Sequence, residues 1–370
     1  METASFCRML VCQNPSNKRV AMPKAPTVYD VAARAGVSIA TVSRVLRSPG
    51  AVKGATRERV AEAVKFLGYV PSASARGLAA RRTNVIGLFL PGRDDAELGE
   101  PSPVRGNTEV AIVADSGDEP ENESLYYDEV LRGAELEAGR RGFALMIASG
   151  TGAGLEALVT DLAGRVDGLG VLAGTVPQEL LAQVVRRIPV VVLGGVGEGD
   201  GFDHVHANNG PGMRALARYL VESKGVSDFV YVAGPESADD DERLEGFREG
   251  AGIDVPVIRA DFTRSGGRDA VAQLEKFPRA IVCANDQMAL GALDVLASRG
   301  VKVPEDVLVT GFDGIAAGRH AEPSLTTVHQ PMAEIGRAAI HVITARLENP
   351  ELERQALTLP VRVVLRGSTG

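Results

Sequence analysis

The stretch that decides the fold is Thr27–Leu46, TVYDVAARAGVSIATVSRVL. Val28, Val31, Ala32 and Ala35 recur at helical spacing and predict a short helix with one apolar face. Thr27 stands at the N-cap position, and Asp30, three residues on, completes a capping-box pattern. Gly36 then ends the helix, because glycine enters the backbone angles of a tight turn without steric cost. Val37 follows as the apolar plug of the turn. Ser38 is placed to cap a second helix whose inner face is Val42, Val45 and Leu46. Two short helices about a glycine turn form the pattern of a DNA-binding helix-turn-helix, and an ordinary helical hairpin shares it. The outer face of the second helix carries Ile39, Ala40, Ser43, Arg44 and Arg47. Small residues let a helix sit deep in a major groove, where an arginine can donate two hydrogen bonds to guanine O6 and N7.

Thr56–Gly68, TRERVAEAVKFLG, reads as a third helix with Val60, Val64 and Leu67 inward. Tyr69-Val70-Pro71 follows, and then SASARGLAARRTNVIGLFLP. The blocks VYDVAARAGVSIATVSRVL, TRERV, GYVP, ARGLA and NVIGLFLP, in this order and spacing, closely resemble the lactose/galactose repressor family of bacterial transcription factors. The resemblance covers nearly everything from Thr27 to the C-terminus apart from one insertion. It implies an α/β protein with an N-terminal helix-turn-helix head and a bilobed, periplasmic-binding-protein-like body of two doubly wound parallel sheets. It also implies a sequence-specific regulator, an effector-controlled repressor that binds a near-palindromic double-stranded DNA operator as a homodimer. Arg44, Ile39 and Ala40 then face bases, and Ser38, Thr41, Ser43 and Lys53 face phosphates or the groove wall. Thr27, Tyr29, Arg76 and Leu78 complete the expected DNA-binding set. Lys53 stands where the family usually has Ser, which exchanges a capping hydroxyl for a phosphate-seeking charge.

Charge distribution agrees with that division. The net charge is −8, yet residues 27–82 hold ten Lys/Arg against three Asp/Glu, and residues 1–26 hold four against one. A basic head on an acidic body fits one polyanion-binding domain joined to a domain that need not touch DNA. Trp is absent and aromatics are 4%, so stacking on single-stranded bases is not an obvious mode. Cys7, Cys12 and Cys283 cannot all pair and show no zinc spacing, which fits a reducing cytosol and a cytoplasmic protein without metal or other cofactor. No run approaches the ~18 apolar residues needed to cross a membrane, and the N-terminus lacks the apolar core of a secretory signal. Residues 1–26 are expected as a disordered leader, with Met22 as an alternative start.

In order, residues 27–70 make the head, 71–83 the hinge, and 84–370 the effector-binding and dimerisation body. Ser72–Ala80 is Ala-rich, helix or coil, and too short to be a stable helix alone. The resemblance implies that it folds on operator binding and wedges Leu78 into the minor groove; a plain solvated linker is the other reading. From Asn84, short apolar runs alternate with helices. Strands are expected at Val85–Leu90, Phe143–Ala148, Gly168–Leu172 and Val190–Leu193, with helices at Tyr127–Gly142, Leu155–Gly164 and Leu180–Arg187. A second set has strands at Asp228–Ala233, Val255–Arg259, Ala280–Cys283 and Val307–Gly311. Its helices are Gly212–Ser223, Arg243–Gly250, Gly267–Glu275 and Asp286–Arg299. Apolar strands separated by helices imply parallel sheets covered on both faces, with ligands at the carboxyl ends of the strands. Pro331–Leu347 reads as a long helix and Ala356–Leu365 as strand-like. By the resemblance the chain crosses between lobes three times, with Gln330-Pro331 as the last crossing.

The resemblance implies effector contacts at Tyr126, Tyr127, Arg243, Asn285, Asp286 and Asp313, to sugar hydroxyls or an equivalent small effector. The Arg243 fork suits adjacent hydroxyls or a carboxylate. Asp286 opens a helix, so a cap role is open beside the ligand role. Two departures bear on the effector. Residues 93–124 are an insertion with ten acidic and two basic residues, in which Thr108–Ala114 could add an edge strand. Gly194 stands where many sugar-binding members have an acidic residue. The effector is then not a simple sugar, or the pocket has lost its ligand. Ser149–Gly154 (SGTGAG) lacks the lysine of a phosphate loop and reads as a turn, and His204 and His206 read as solvated. No nucleophile elbow, HExxH or catalytic dyad is present, so the alternative of a sugar-binding protein or sugar-processing enzyme without DNA function has little to stand on.

Overall fold

The computed structural model describes residues 26–47, 49–70, 82–92, 125–195 and 199–370. The chain divides into two compact units, 1–81 and 82–370. The expected leader up to residue 25, the hinge residues 71–81 with Arg76 and Leu78, and the insertion 93–124 with its expected strand lie outside the described residues.

Among the described residues the first unit holds three α-helices, the head: α1 Val28–Ala35, α2 Ile39–Arg47 and α3 Gly54–Leu67. The capping box closes at Thr27, whose amide and hydroxyl both donate to Asp30 Oδ2 at 2.7 Å. Gly36 ends α1 at φ 62°, the left-handed angle that glycine alone adopts freely, and Val37 N–H returns to Ala32 O at 3.1 Å. Val31, Ala32, Ala35, Val42, Val45, Val60 and Ala63 are buried together, with Val28, Val37, Val64 and Leu67 packed around them. Leu46 is corrected from the expected inner face: it is 37% exposed, because the turn of α2 that carries it looks past this small core.

Among the described residues the second unit holds two six-stranded sheets. Lobe one contains β1 Val85–Pro91, β2 Ala144–Gly150, β3 Gly168–Leu172, β4 Val190–Leu193, β5 Asp203–Ala207 and β11 Ala356–Leu359, in the order β11-β5-β4-β3-β1-β2. Its helices are α4 Leu125–Arg140, α5 Leu155–Arg165 and α6 Gln178–Val184. Lobe two contains β6 Phe229–Ala233, β7 Val257–Arg259, β8 Ala280–Cys283, β9 Leu308–Asp313, β10 Thr326–His329 and β12 Arg362–Val364, in the order β12-β10-β9-β8-β6-β7. Its helices are α7 Asn209–Arg218, α8 Ala238–Ala251, α9 Arg264–Ala272, α10 Asp286–Ser298 and α11 Ala316–His320. α12 Met332–Glu348 packs along α4 and against β3, β4 and β5. Among the described residues every strand pair is parallel except β10 with β12. Along β1, Ile86 and Leu88 enter one core and Phe89 the other, the alternation of a strand buried on both faces.

Several sequence expectations are corrected. The strand-like segment Ala356–Leu365 is two strands in different sheets, broken at Pro360, which has no N–H to continue a ladder. That break is the third crossing, so Gln330-Pro331 is the second crossing and not the last; the first lies between β5 and α7. Helix α8 starts at Ala238 rather than Arg243. Ser237 caps it, and Asp239, Asp240 and Asp241 fill the first turn, where negative charge suits the helix dipole.

His204 and His206 are not solvated. They are 4% and 7% exposed on β5, with His204 Nε2 2.9 Å from Asp200 and His206 Nε2 2.9 Å from Thr358 Oγ1. Strand β5 reads as polar because its Asp203 is buried against Arg346 of α12, at 2.6 and 2.8 Å. Strand β10 is hidden for a like reason: Thr326 and Thr327 are fully buried with bonded hydroxyls.

Candidate functional site

Two sites emerge, one on each unit. On the head, Ser38 Oγ accepts from Thr41 N–H at 3.2 Å and lies 2.9 Å from the Thr41 hydroxyl, so both side chains fix the start of α2. Beyond that cap, Ile39, Ala40 and Arg44 are exposed and Ser43 is half-buried. The Thr27 hydroxyl is spent on the cap of α1, while Tyr29, two residues on, is 67% exposed. Lys53 occupies the N-cap position of α3 without any side-chain cap bond, and it is exposed. Neither α2 nor α3 has an acidic residue in its first turn, unlike α1. Their unneutralised N-termini suit phosphate. Arg34 lies 3.3 Å over the ring of the exposed Phe66 and steadies α1 against α3.

On the body, the site forms where strand ends meet. Arg243, 7% exposed, donates from Nε to Asn209 Oδ1 at 3.0 Å and from Nη1 to Ala284 O at 2.9 Å. Its guanidinium lies 3.8 Å from the centre of the Phe312 ring and 4.0 Å from Asp313 Oδ1. Asp313 ends β9 at φ 114°, a strained angle for a non-glycine residue, and accepts from Gln330 Nε2 at 2.6 Å. Burial pushes its carboxyl up to about 6, against the pull of Arg243. Tyr126 and Tyr127 open α4 as an edge-to-face pair with ring centroids 5.3 Å apart. Burial raises both phenols, and Asp239 and Asp313 raise Tyr126 further, so both stay neutral hydroxyls.

Asn285 and Asp286 are both buried, and their side chains bond within the protein. Asn285 is the cap of α10: its Oδ1 accepts from Met288 N–H at 2.9 Å, and its Nδ2 donates to Phe262 O at 2.8 Å. The cap role considered for Asp286 therefore belongs to its neighbour. Asp286 is fully buried and accepts from Gly314 N–H at 2.7 Å, Ile315 N–H at 2.9 Å and the Thr327 hydroxyl at 2.6 Å. It fixes the turn behind Asp313. Burial and the Asp313 charge both push its carboxyl upward.

Four residues were missed in the sequence. Asn209, 1% exposed, links Arg243 to Asp239 and Glu242 through its amide, at 2.8 and 3.2 Å to the two carboxylates. Phe262 stands at φ 67°, held by Asn285. No motif marks Asn209, Asp239 or Glu242, and the positive φ of Phe262 has no signature in a non-glycine residue. Ser149–Gly154, expected as a turn, is instead the last two residues of β2, then Thr151 and a 3-10 turn of helix at Gly152–Gly154 that leads into α5. Among the described residues no cluster of His, Cys, Asp or Glu is arranged for a metal, and no helix is long and apolar enough to cross a membrane.

Comparison with known proteins places these sites in context. Residues 27–72 match the family described as bacterial regulatory proteins, lacI family, and residues 217–369 match a periplasmic binding protein-like domain. The chain is 31% identical over 358 residues to the HTH-type transcriptional repressor PurR of Vibrio parahaemolyticus, covering 92% of this chain and 98% of that one. It is 33% identical over 359 residues to PurR of Salmonella paratyphi B, covering 92% and 96%. Among solved structures it is similar to the lac repressor dimer bound to operator and the anti-inducer ONPF, with a TM-score of 0.77, 25% identity and coverage of 94% and 99%. It is also similar to the transcriptional regulator CelR in complex with cellobiose, with a TM-score of 0.64, 32% identity and coverage of 93% and 99%.

Proposed function

The chain belongs to the lacI family of bacterial regulatory proteins and is a DNA-binding transcriptional regulator, and from that premise we propose an effector-controlled cytoplasmic repressor that reads a near-palindromic operator as a homodimer. The observation that carries this reading is the exposed face of α2, Ile39, Ala40 and Arg44, standing beyond a cap built by Ser38 and Thr41. Arg44 and the small residues beside it read base edges. Ser38, Thr41, Ser43, Lys53, Thr27 and Tyr29 set the helix against phosphates and the groove wall. Arg76 and Leu78 belong to the hinge that completes the contact. One helix-turn-helix reads too few bases for useful specificity, so two-fold symmetry doubles the site. The cleft around Arg243, Asp313, Tyr126 and Tyr127 takes a small molecule with hydroxyl or amide donors and acceptors. Asn285 and Asp286 support it from behind. The effector acts by shifting the balance between body conformations and transforms nothing. A sugar-binding protein or sugar-processing enzyme with no DNA function leaves the basic head without a purpose.

A gel-shift with genomic fragments from around the chain's own gene tests the reading. A fragment bound tightly at moderate salt, with random DNA bound weakly, is the expected result. Equal binding of every fragment would remove the claim of specificity.

A further inference from the structure

The acid that faces Gly194 comes from the opposite lobe. Gly194 follows β4 of lobe one at φ 82°, an angle that L side chains rarely adopt. A Cβ built on it would lie 2.5 Å from Asp239 Oδ2. The next amide, Gly195 N–H, donates to Asp239 Oδ1 at 3.0 Å. Asp239 itself sits in the first turn of α8, in lobe two. Its Oδ1 also accepts from Asn209 Nδ2 at 2.8 Å, and Asn209 lies at the first crossing between the lobes. One carboxylate oxygen thus joins lobe one, the crossing and lobe two. The other, Oδ2, fills the space of the missing side chain at 194 and has no hydrogen-bond partner among the described residues.

We propose that Asp239 is a positioning residue of the cleft: it latches lobe two onto lobe one at Gly195 and presents a carboxylate, from across the cleft, where a side chain at 194 would stand. The claim rests on reading the cleft as the effector site. An acid built on lobe one would stay with lobe one when the cleft opens. An acid on Asp239 leaves that position as the lobes part, so its place against Gly194 exists only in the closed arrangement. The carboxylates of Asp239 and Glu242 share the Asn209 amide, and the one guanidinium beside them, that of Arg243, lies 4.0 Å from Asp313. Such a cleft favours a ligand that brings hydroxyl or amine hydrogens to Oδ2 over one that brings a phosphate or a carboxylate.

The test needs no effector. Hydrogen–deuterium exchange on the full chain should find the Gly195 amide protected. Asp239→Ala should speed its exchange at least tenfold while amides of β3 keep their rates. Asp239→Asn, which retains an acceptor oxygen, should restore part of the protection, a rescue that a merely bulky side chain would not give. Gly194→Ala should lower the melting temperature more in the wild-type chain than in Asp239→Ala, where the clash with Oδ2 is gone. Unchanged Gly195 exchange in Asp239→Ala, or an equal cost of Gly194→Ala in both backgrounds, overturns the latch. A chain that binds no small molecule would sink the effector reading and leave this result untouched.

Discussion

Asp313 holds its carboxylate 4.0 Å from the Arg243 guanidinium while its own backbone is strained at φ 114°. Neither feature serves packing. A strained backbone and a buried acid raised to about 6 both cost stability, and they meet at the ends of strands that face the cleft. The structure is least relaxed where the ligand is expected.

Asp313→Asn should therefore stabilise the body at neutral pH. A carboxyl near 6 in the folded chain and about 4 in the unfolded chain binds its proton more tightly when folded. Its contribution is present below about pH 4 and is lost as pH rises through about 6. Wild-type melting temperature should carry a falling component across that window. The Asn variant should lack it and melt higher at pH 7, and an identical pH profile in the two proteins would refute the assignment.

The neighbouring acid should respond with the opposite sign. Asp286→Ala leaves two backbone N–H groups and the Thr327 hydroxyl buried without their acceptor. A loss of roughly 1–3 kcal/mol is expected for an unsatisfied buried donor, measured by urea unfolding of the full chain. A neutral or stabilising result would show that the turn at 314–315 does not depend on it.

Arg243→Ala should cost about 3 kcal/mol, because it leaves the buried Asp313 without its cation and Asn209 Oδ1 and Ala284 O without their donor. Arg243→Lys should recover little. An ammonium cannot reach Asn209 and Ala284 with a fixed fork while lying flat on Phe312. Melting curves of the two variants decide it, and full recovery by Lys would mean that charge alone matters.

On the head, Arg44→Ala should lower affinity for the cognate operator by about 1–3 kcal/mol and affect random DNA much less, the signature of a lost bidentate base contact. Equal losses on both DNAs would reassign Arg44 to a phosphate.

Ser38→Ala separates fold from contact. Removing the cap of α2 should destabilise the head by about 1 kcal/mol, seen as earlier melting of the head, while the body melts unchanged. Loss of operator binding with an unchanged head transition would overturn the cap role and leave Ser38 with its DNA contact alone.

The sequence by itself determined the head. Thr27, Asp30, Gly36 and Ser38 act within four residues of themselves through caps and a turn, so their pattern carries their geometry. It determined the alternation of the body as well, because β1, β3, β4, β6 and β8 are apolar runs that read as buried strands. Arg243 and Asp313 were legible through motifs that span only a few residues. Strands β5 and β10 were not, since their buried positions are Asp, His and Thr whose partners lie far along the chain: Arg346 for Asp203 and Asp286 for Thr327. The division of 356–364 between two sheets was equally invisible, because a strand's sheet is set by which edge is open to it. Tertiary structure alone decided that Asn285 caps while Asp286 braces. It alone brought Asp239 to Gly195 across 44 residues, where a hydrogen bond depends on two lobes meeting and no local pattern announces it.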